Sequence, residues 1–285
     1  TYYPNGKIKS ESYFNEENAP AHPNGVHSYT YEYDDRNRLI LVTAMKEGGL
    51  PAVQAQNKCH KMEYVYGNDN WIIETKRFDT SSKLTSRPLP AIVRYEYGKD
   101  HQITRIEHLD NNYRPCNNPD AGNVATCLMD YDQLGRKIHE KYLNENNETV
   151  VNTNVGYAEI LMKYKHNSRV TYAMDENGEL INVQGVCRII EINSETSLPL
   201  YARRDLVNYD NELEIAQRFI CEYDEDGKLK YNYYQDGIGN IVIYSTNATR
   251  TVNIFDEDYD ALVAKLNSIE ESLIEKYLDN EILNK

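Results

Sequence analysis

A period constrains this chain more than any other feature. Counting from Tyr33, tyrosine returns at Tyr66, Tyr97, Tyr131, Tyr164 and Tyr223, with Tyr2 ahead of the series and Ile192 filling the one gap. The intervals are 31, 33, 31, 34, 33, 28 and 31 residues. Self-similarity at such a spacing marks a repeat architecture, in which each unit buries its apolar side against its neighbours.

Columns around these anchors define the unit. Four residues after them stand Gly6, Asn37, Asn70, His101, Gly135, Ser168, Thr196 and Gly227, a column led by residues that tolerate the left-handed backbone of a tight turn. Two and four residues before them stand pairs such as Met62 and Tyr64, Val93 and Tyr95, Cys127 and Met129, Ile160 and Met162, and Phe219 and Cys221. That alternation is the pattern of a half-buried strand. In "HSYTYEYDDRNRLI", residues 27–40, Tyr29, Tyr31 and Tyr33 form the inward face of one such strand. Beyond the turn, Ile8, Leu39, Ile72, Ile103, Val170 and Leu229 open a second strand, which reaches Phe14, Met45, Phe78, Leu109 and Leu143 twelve residues past the anchor. A polar loop follows, often ending in proline (Pro20, Pro51, Pro115).

The expected fold is all-β and mainly antiparallel: about eight β-hairpin repeats of 28–34 residues over residues 1–252. Some sixteen strands exceed the roughly ten that an open twisted sheet carries, so the array should coil into a spiral, superhelix or partial barrel. Apolar residues on the second face of later units (Leu128, Leu161, Ile189, Ile220) imply that coiling buries part of that face. The unit from Ile192 to about Glu214 departs most from the pattern and reads as a break or a packed irregular loop. Residues 253–285 change period. Tyr259, Leu262, Val263, Leu266, Ile269, Leu273, Ile274, Tyr277 and Leu278 recur at helical spacing. Asp256, Glu257, Asp258 and Asp260 precede or open this helix, where its dipole favours negative charge. An acidic amphipathic helix here would cap an exposed sheet edge.

Three stretches resemble the bacterial YD repeats of the RHS type: "MDYDQLGRKIHEKY" (129–142), "CEYDEDGKLKYNYY" (221–234) and "YEYDDRNRLI" (31–40), the last with Asn37 in the glycine place. The period is longer than in usual members, and only Tyr33, Tyr131 and Tyr223 are followed by Asp. The resemblance spans about residues 2–245. It implies a β-rich segment of a larger bacterial protein, at the cell surface or secreted, acting as a shell around another polypeptide or binding carbohydrate. That repeat unit brings no catalytic residues with it. Because residue 1 falls inside a repeat, the sequence reads as a piece of a longer protein, with other domains of that chain among its partners.

Composition excludes some partners. A formal charge of −14 opposes nucleic acid, whose binders need Lys and Arg to displace phosphate counterions. No run of about 18 apolar residues is present for membrane insertion. The 25 tyrosines against 4 phenylalanines and one tryptophan suit a structure that is mostly surface, since the ring packs while the hydroxyl stays wet.

Chemical motifs read mostly as structure. Cys59, Cys116, Cys127, Cys187 and Cys221 form no CxxC pair and are odd in number, so free thiols are expected. Asp256, Asp258 and Asp260 have DxDxD spacing, but Ala261 and Asn267 stand where a calcium loop needs Gly and Glu. "GIGN" at 237–240 reads as a turn, and the histidines carry no HxxxH or HExxH. No metal, cofactor or catalytic residue is assigned. Glu32, Glu96, Asp130, Glu191 and Glu222, each just before an anchor, should form a solvated acidic stripe. Six aromatics outside the ladder columns are the ligand-binding candidates: Trp71, Tyr113, Tyr157, Tyr172, Tyr201 and Tyr209. The leading expectation is a non-enzymatic module binding protein or glycan. The alternatives are a structural shell of a toxin or surface protein, and a carbohydrate-active enzyme using paired carboxylates.

Overall fold

Two turns per repeat, built from one chemistry, organise the chain. In the computed structural model, which describes residues 1–86, 88–245, 249–252, 256–278 and 280–283, the carboxylate of Asp34 accepts the backbone N–H groups of Arg36 and Arg38, both at 2.9 Å. Asn37 closes that turn at φ 61°. Asp132 and Asp224 do the same for later repeats, with Gly135 and Gly227 in the left-handed place. The loop after most second strands opens with the same device, though that after Met45 opens with Lys46 and has backbone bonds alone. Asp79, Asp110, Asn144 and Asp175 each accept two backbone N–H groups, and bridges such as Met45 to Pro51 and Leu109 to Pro115 close it. Short Asx side chains mimic a backbone turn, which fixes where each strand reverses.

The chain divides into two compact units, Thr1–Met129 with Tyr142–Asn154, and Asp130–Lys141 with Val155–Lys285. In the first, β1 (Ser10–Ser12), β2 (Ser28–Tyr33), β3 (Leu39–Met45), β4 (Lys61–Tyr66), β5 (Ile72–Phe78), β6 (Ile92–Tyr97), β7 (Ile103–Leu109) and β8 (Thr126–Tyr131) pair in chain order, all antiparallel. β9 (Lys137–Leu143) follows β8. In the second unit residues 139–141 of β9 pair with β10 (Glu159–Lys165). The ladder then runs through β11 (Ser168–Met174), β12 (Arg188–Asn193), β13 (Pro199–Val207), β14 (Leu213–Tyr223), β15 (Leu229–Gln235), β16 (Ile241–Ser245) and β17 (Thr249–Val252). Two helices close the chain: α1 (Tyr259–Tyr277) and the short α2 (Asn280–Leu283). The all-β antiparallel hairpin array with a C-terminal helix is as the sequence predicts. Residues 253–255, at the start of the expected helical segment, lie outside the described residues.

Three local expectations are corrected. The seventh anchor is Asn193, not Ile192. Tyr33, Tyr66, Tyr97 and Tyr223 each pair, after a bulge, with the residue six further on, and here that pair is Asn193 with Pro199. Ser194 takes the aspartate role, its hydroxyl accepting the N–H of Leu198 at 3.0 Å, and Ser197 (φ 65°) rather than Thr196 is left-handed. Nor is this unit a break. β13 and β14 are the longest strands among the described residues, joined by a turn capped by Asn208. The sixth hairpin is one residue tighter: Lys165 pairs with Ser168 across a two-residue turn with His166 at φ 52°, so Ser168 is a buried strand residue, not a turn residue.

α1 covers a face rather than an edge. Val170, Tyr172, Ile190, Ile192, Tyr201, Ile220, Tyr233 and Ile241 form the main core of the second unit with Leu266 and Leu278, and Leu262, Ile269, Leu273 and Ile274 pack against it. These strand residues are direct cross-strand partners or near neighbours on one side of the sheet, as in Ile192 with Tyr201, Tyr201 with Ile220, and Ile220 with Tyr233. An amphipathic helix is what such a face requires. Asp258 stands at the N-cap of α1 without a side-chain capping bond, its carboxylate instead pairing with Arg250 of β17.

Candidate functional site

The tyrosine anchors act on the repeat before their own. The hydroxyls of Tyr66, Tyr97 and Tyr223 donate to the carbonyls of Leu39, Ile72 and Pro199, at 2.9, 2.7 and 2.8 Å. Each acceptor lies six residues past the preceding anchor. One position earlier sits the side chain that covers the ring. The Arg38 guanidinium lies 4.5 Å from the Tyr66 ring centroid and Arg136 lies 4.3 Å from that of Tyr164. Both arginines bind the aspartate of their own turn through Nε, Arg38 to Asp34 and Arg136 to Asp132, each at 2.7 Å. They also reach forward, Arg38 to Asn70 Oδ1 at 3.0 Å and Arg136 to the His166 carbonyl at 3.1 Å. The backbone N–H of Arg38 is the strongest of the bonds that hold the Asp34 carboxyl below its usual range. Tyr-Asp followed by Arg is thus one device: the tyrosine receives a neighbour, the aspartate shapes the turn, and the arginine couples to the next tyrosine.

Trp71 belongs to the same column. Its repeat has Gly67 where Asp34 stands in the previous one, so an arginine there would lack its carboxylate. Trp71 instead lies 5.7 Å from Tyr97, the next anchor, and stacks on His101 at 5.5 Å with 22° between planes. It remains 46% exposed.

The other predicted aromatics do not converge with it. Tyr113 is 49% exposed at φ 62°, in the left-handed turn position where other repeats hold Asn18, Ser82, Asn147 or Gly178. A bulky side chain is strained there. In the second unit Tyr172 and Tyr201 are buried beneath the helices. The Tyr172 hydroxyl donates to the carbonyls of Ile282 and Leu283, at 3.0 and 2.6 Å, and that of Tyr201 to Glu270 Oε1 at 2.6 Å. Tyr157 is half-buried. Tyr209 is fully exposed at the β13–β14 turn, beside a cleft of about 800 Å³ that Asn182, Val207, Asn208 and Glu214 also line.

A buried charge cluster was not foreseen. Glu270 of α1 accepts from Arg203 and Arg218, each at 2.8 Å, while Asp205 binds Arg203 at 2.5 Å and Arg188 at 2.7 Å. Asn267 Oδ1 accepts a further bond from Arg218 at 2.7 Å. Asp205 is fully buried. Burial pushes the Glu270 carboxyl up, but bonds from Tyr201, Arg218 and Arg203 outweigh it and hold the group below its ordinary value. A general acid needs the opposite shift, so this carboxylate is placed to fasten the helix. The signal in the sequence was Glu270 itself, four residues after Leu266 and four before Ile274 on the apolar stripe.

The predicted acidic stripe divides. Glu32, Glu96 and Asp130 are exposed. Glu222 faces α1 and meets Lys265 at 2.9 Å. Glu191, two residues before the true anchor, pairs with Arg169.

No family model matches the chain, and no curated protein matches it. Among solved structures it is similar to the crystal structure of TcdB2-TccC3-Cdc42 (TM-score 0.41, 14% identity, covering 88% of this chain and 12% of that one). A second is TcdB2-TccC3-TEV (TM-score 0.37, 13% identity, 89% of this chain and 12% of that one). A third is a porin-like protein from Bacteroides uniformis ATCC 8492 (TM-score 0.23, 10% identity, 79% and 87%). The chain spans about 12% of the length of the first two. At these scores the likenesses carry no argument about fold or function.

Proposed function

We propose that this chain is a non-catalytic YD-type repeat module that holds polypeptide on its sheet, as a wall or docking segment of a larger bacterial protein. One observation carries the reading: the sheet face of the second unit already holds a polypeptide, its own helix, by an apolar bed plus the grip of Arg203 and Arg218 on Glu270, with Asp205 and Arg188 beside them on the sheet. Supporting it, the side chains with chemical potential at the turn rim (Arg38, Arg136, Trp71 and the anchor hydroxyls) are committed to holding one repeat against the next. A glycan is the second reading. It is favoured by the exposed Trp71 ring backed by His101, a platform of the kind that stacks on sugars.

Capture from lysate with the whole chain, run beside a glycan array, separates these. The protein reading expects a partner retained equally by wild type and Trp71→Ala; the glycan reading expects array signals that Trp71→Ala abolishes. Turnover of any glycan by the purified chain would overturn the non-catalytic assignment.

A further inference from the structure

The row of anchor rings has a gap in the second unit. At Tyr66, Tyr97 and Tyr164 the anchor ring meets a side chain of the preceding turn, but the seventh anchor is Asn193 and brings no ring. Asn193 keeps the link in a shorter form. Its Nδ2 donates to the Asn167 carbonyl at 2.9 Å, and Asn167 Nδ2 donates back to the carbonyls of Ser194 and Glu195 at 3.0 and 3.2 Å. Two spaces flank this link, both bounded by the second unit alone. One of about 370 Å³ lies towards Tyr164 and Ser197, the other of about 640 Å³ towards Leu134, Lys276 and Tyr277. His166, Asn167 and Asn193 line both.

Elsewhere the polar side chains of the rim are spent on the next repeat; here they are not. Among the described residues, neither ring nitrogen of His166, nor Oδ1 of Asn167 or Asn193, nor the Ser197 hydroxyl has a hydrogen-bond partner. No carboxylate lies within ion-pair distance of Lys276, whose Nζ stands 4.8 Å from the Tyr277 ring centroid. Two amide oxygens can accept the N–H groups of an extended chain, and an ammonium group beside an imidazole can meet a carboxylate. Leu134, 77% exposed, adds an apolar wall.

We propose that this gap docks an extended polypeptide segment bearing a tyrosine next to an aspartate. The tyrosine ring stands where the seventh anchor's would, and the carboxylate meets Lys276. Such an occupant repeats the Tyr-Asp device of the chain itself, and its charge suits a cation left unpaired on a surface of net charge −14. The site rests on the reading of the chain as a polypeptide-holding module, but lies at the turn rim and not on the sheet face.

Nuclear magnetic resonance of the isotope-labelled whole chain, titrated with the peptide acetyl-Gly-Ser-Tyr-Asp-Gly-Ser-amide, tests it. The amide signals of residues 166–167 and 193–197 should shift, and Lys276→Glu should weaken binding about fivefold. Asn193→Tyr supplies the missing ring from within, so it should melt no lower than wild type and no longer bind the peptide. Should that variant fail to fold, the same peptide with alanine in place of tyrosine decides the matter, because it must bind wild type more weakly. Unmoved signals at those turns, equal binding of the alanine peptide, or the same signals moved by oligogalacturonate and not by the peptide would overturn the site. A chain that ignores the peptide yet captures a protein partner, as wild type and as Asn193→Tyr alike, loses this site and keeps the module reading.

Discussion

The same side of the hairpin ladder is satisfied in two different ways. Between residues 61 and 109 it carries charges in cross-strand register: Glu63 opposite Lys76, Glu74 opposite Arg94, Arg94 opposite Glu107, and Glu96 opposite Arg105. The ion pairs follow that register, with Lys76 meeting Glu63 at 3.0 Å and Arg94 meeting Glu74 at 3.1 Å. Between residues 170 and 243 the equivalent side carries Val170, Ile190, Ile192, Tyr201, Ile220 and Tyr233, and α1 covers it. A sheet face exposed to water is kept soluble by alternating charge, and one covered by a helix must be apolar. The repeat specifies the backbone; the residues one, three and five before the anchor specify what lies on it. Where charges recur inside the covered face, Arg203 and Arg218 are matched by Glu270 from the helix, and Asp205 by Arg188 and Arg203 beside it.

The largest effect expected from that contrast is at the buried cluster. Glu270→Ala strands Arg218 without a carboxylate and leaves Arg203 with Asp205 alone, and breaking a buried pair in this way costs about 3–5 kcal/mol. Urea denaturation should show it. Ile220→Ala removes a fully buried side chain from the bed under the helix and should cost about 2–4 kcal/mol; an equal cost for Val65→Ala, half-buried opposite Glu74 on the charged side, would dissolve the contrast. At the turn rim, Arg38→Gln removes the ring contact with Tyr66 and the bond to Asp34, for about 1–2 kcal/mol. On the charged face, Lys76→Met should cost no more than about 1 kcal/mol, and less in high salt.

Acid should separate the two regions as well. Glu270 is held below its ordinary value in the folded chain, so unfolding takes up a proton and the stability it contributes is present above the unfolded value of about 4.3. It is lost as pH falls through the folded value. Tyrosine fluorescence or near-ultraviolet circular dichroism during acid titration should therefore show α1 releasing from Tyr201 below about pH 4; release between pH 5 and 7 would contradict this origin.

Much of this fold was legible in the sequence because a period-two strand and a left-handed turn residue leave local signatures. The helical segment was legible for the same reason. The seventh register is hidden because its anchor is neither aromatic nor apolar: Ser194 and Pro199 carry the turn there and Asn193 merely fills the place. The covering role of α1 was half visible: Leu128, Leu161, Ile189 and Ile220 announced a second buried face, but periodicity does not say what buries it. In fact Ile220 lies under the helix, while Ile189 pairs with Arg204 on the other side of the sheet. The aromatics that leave the ladder columns are of two kinds. Tyr172 and Tyr201 bind α2 and α1 from below, whereas Trp71, Tyr113 and Tyr209 face solvent. Hydroxyl partners 69 and 110 residues away are tertiary facts that no local window contains.

Hydrogen exchange, followed by mass spectrometry on wild type and Glu270→Ala, puts the main contention to the test. If the chain's own helix is what completes one stretch of the ladder and charge is what completes the other, the variant loses amide protection across β11 to β15 while β4 to β7 exchange as before. Equal loss in both stretches, or none in β11 to β15, would contradict it.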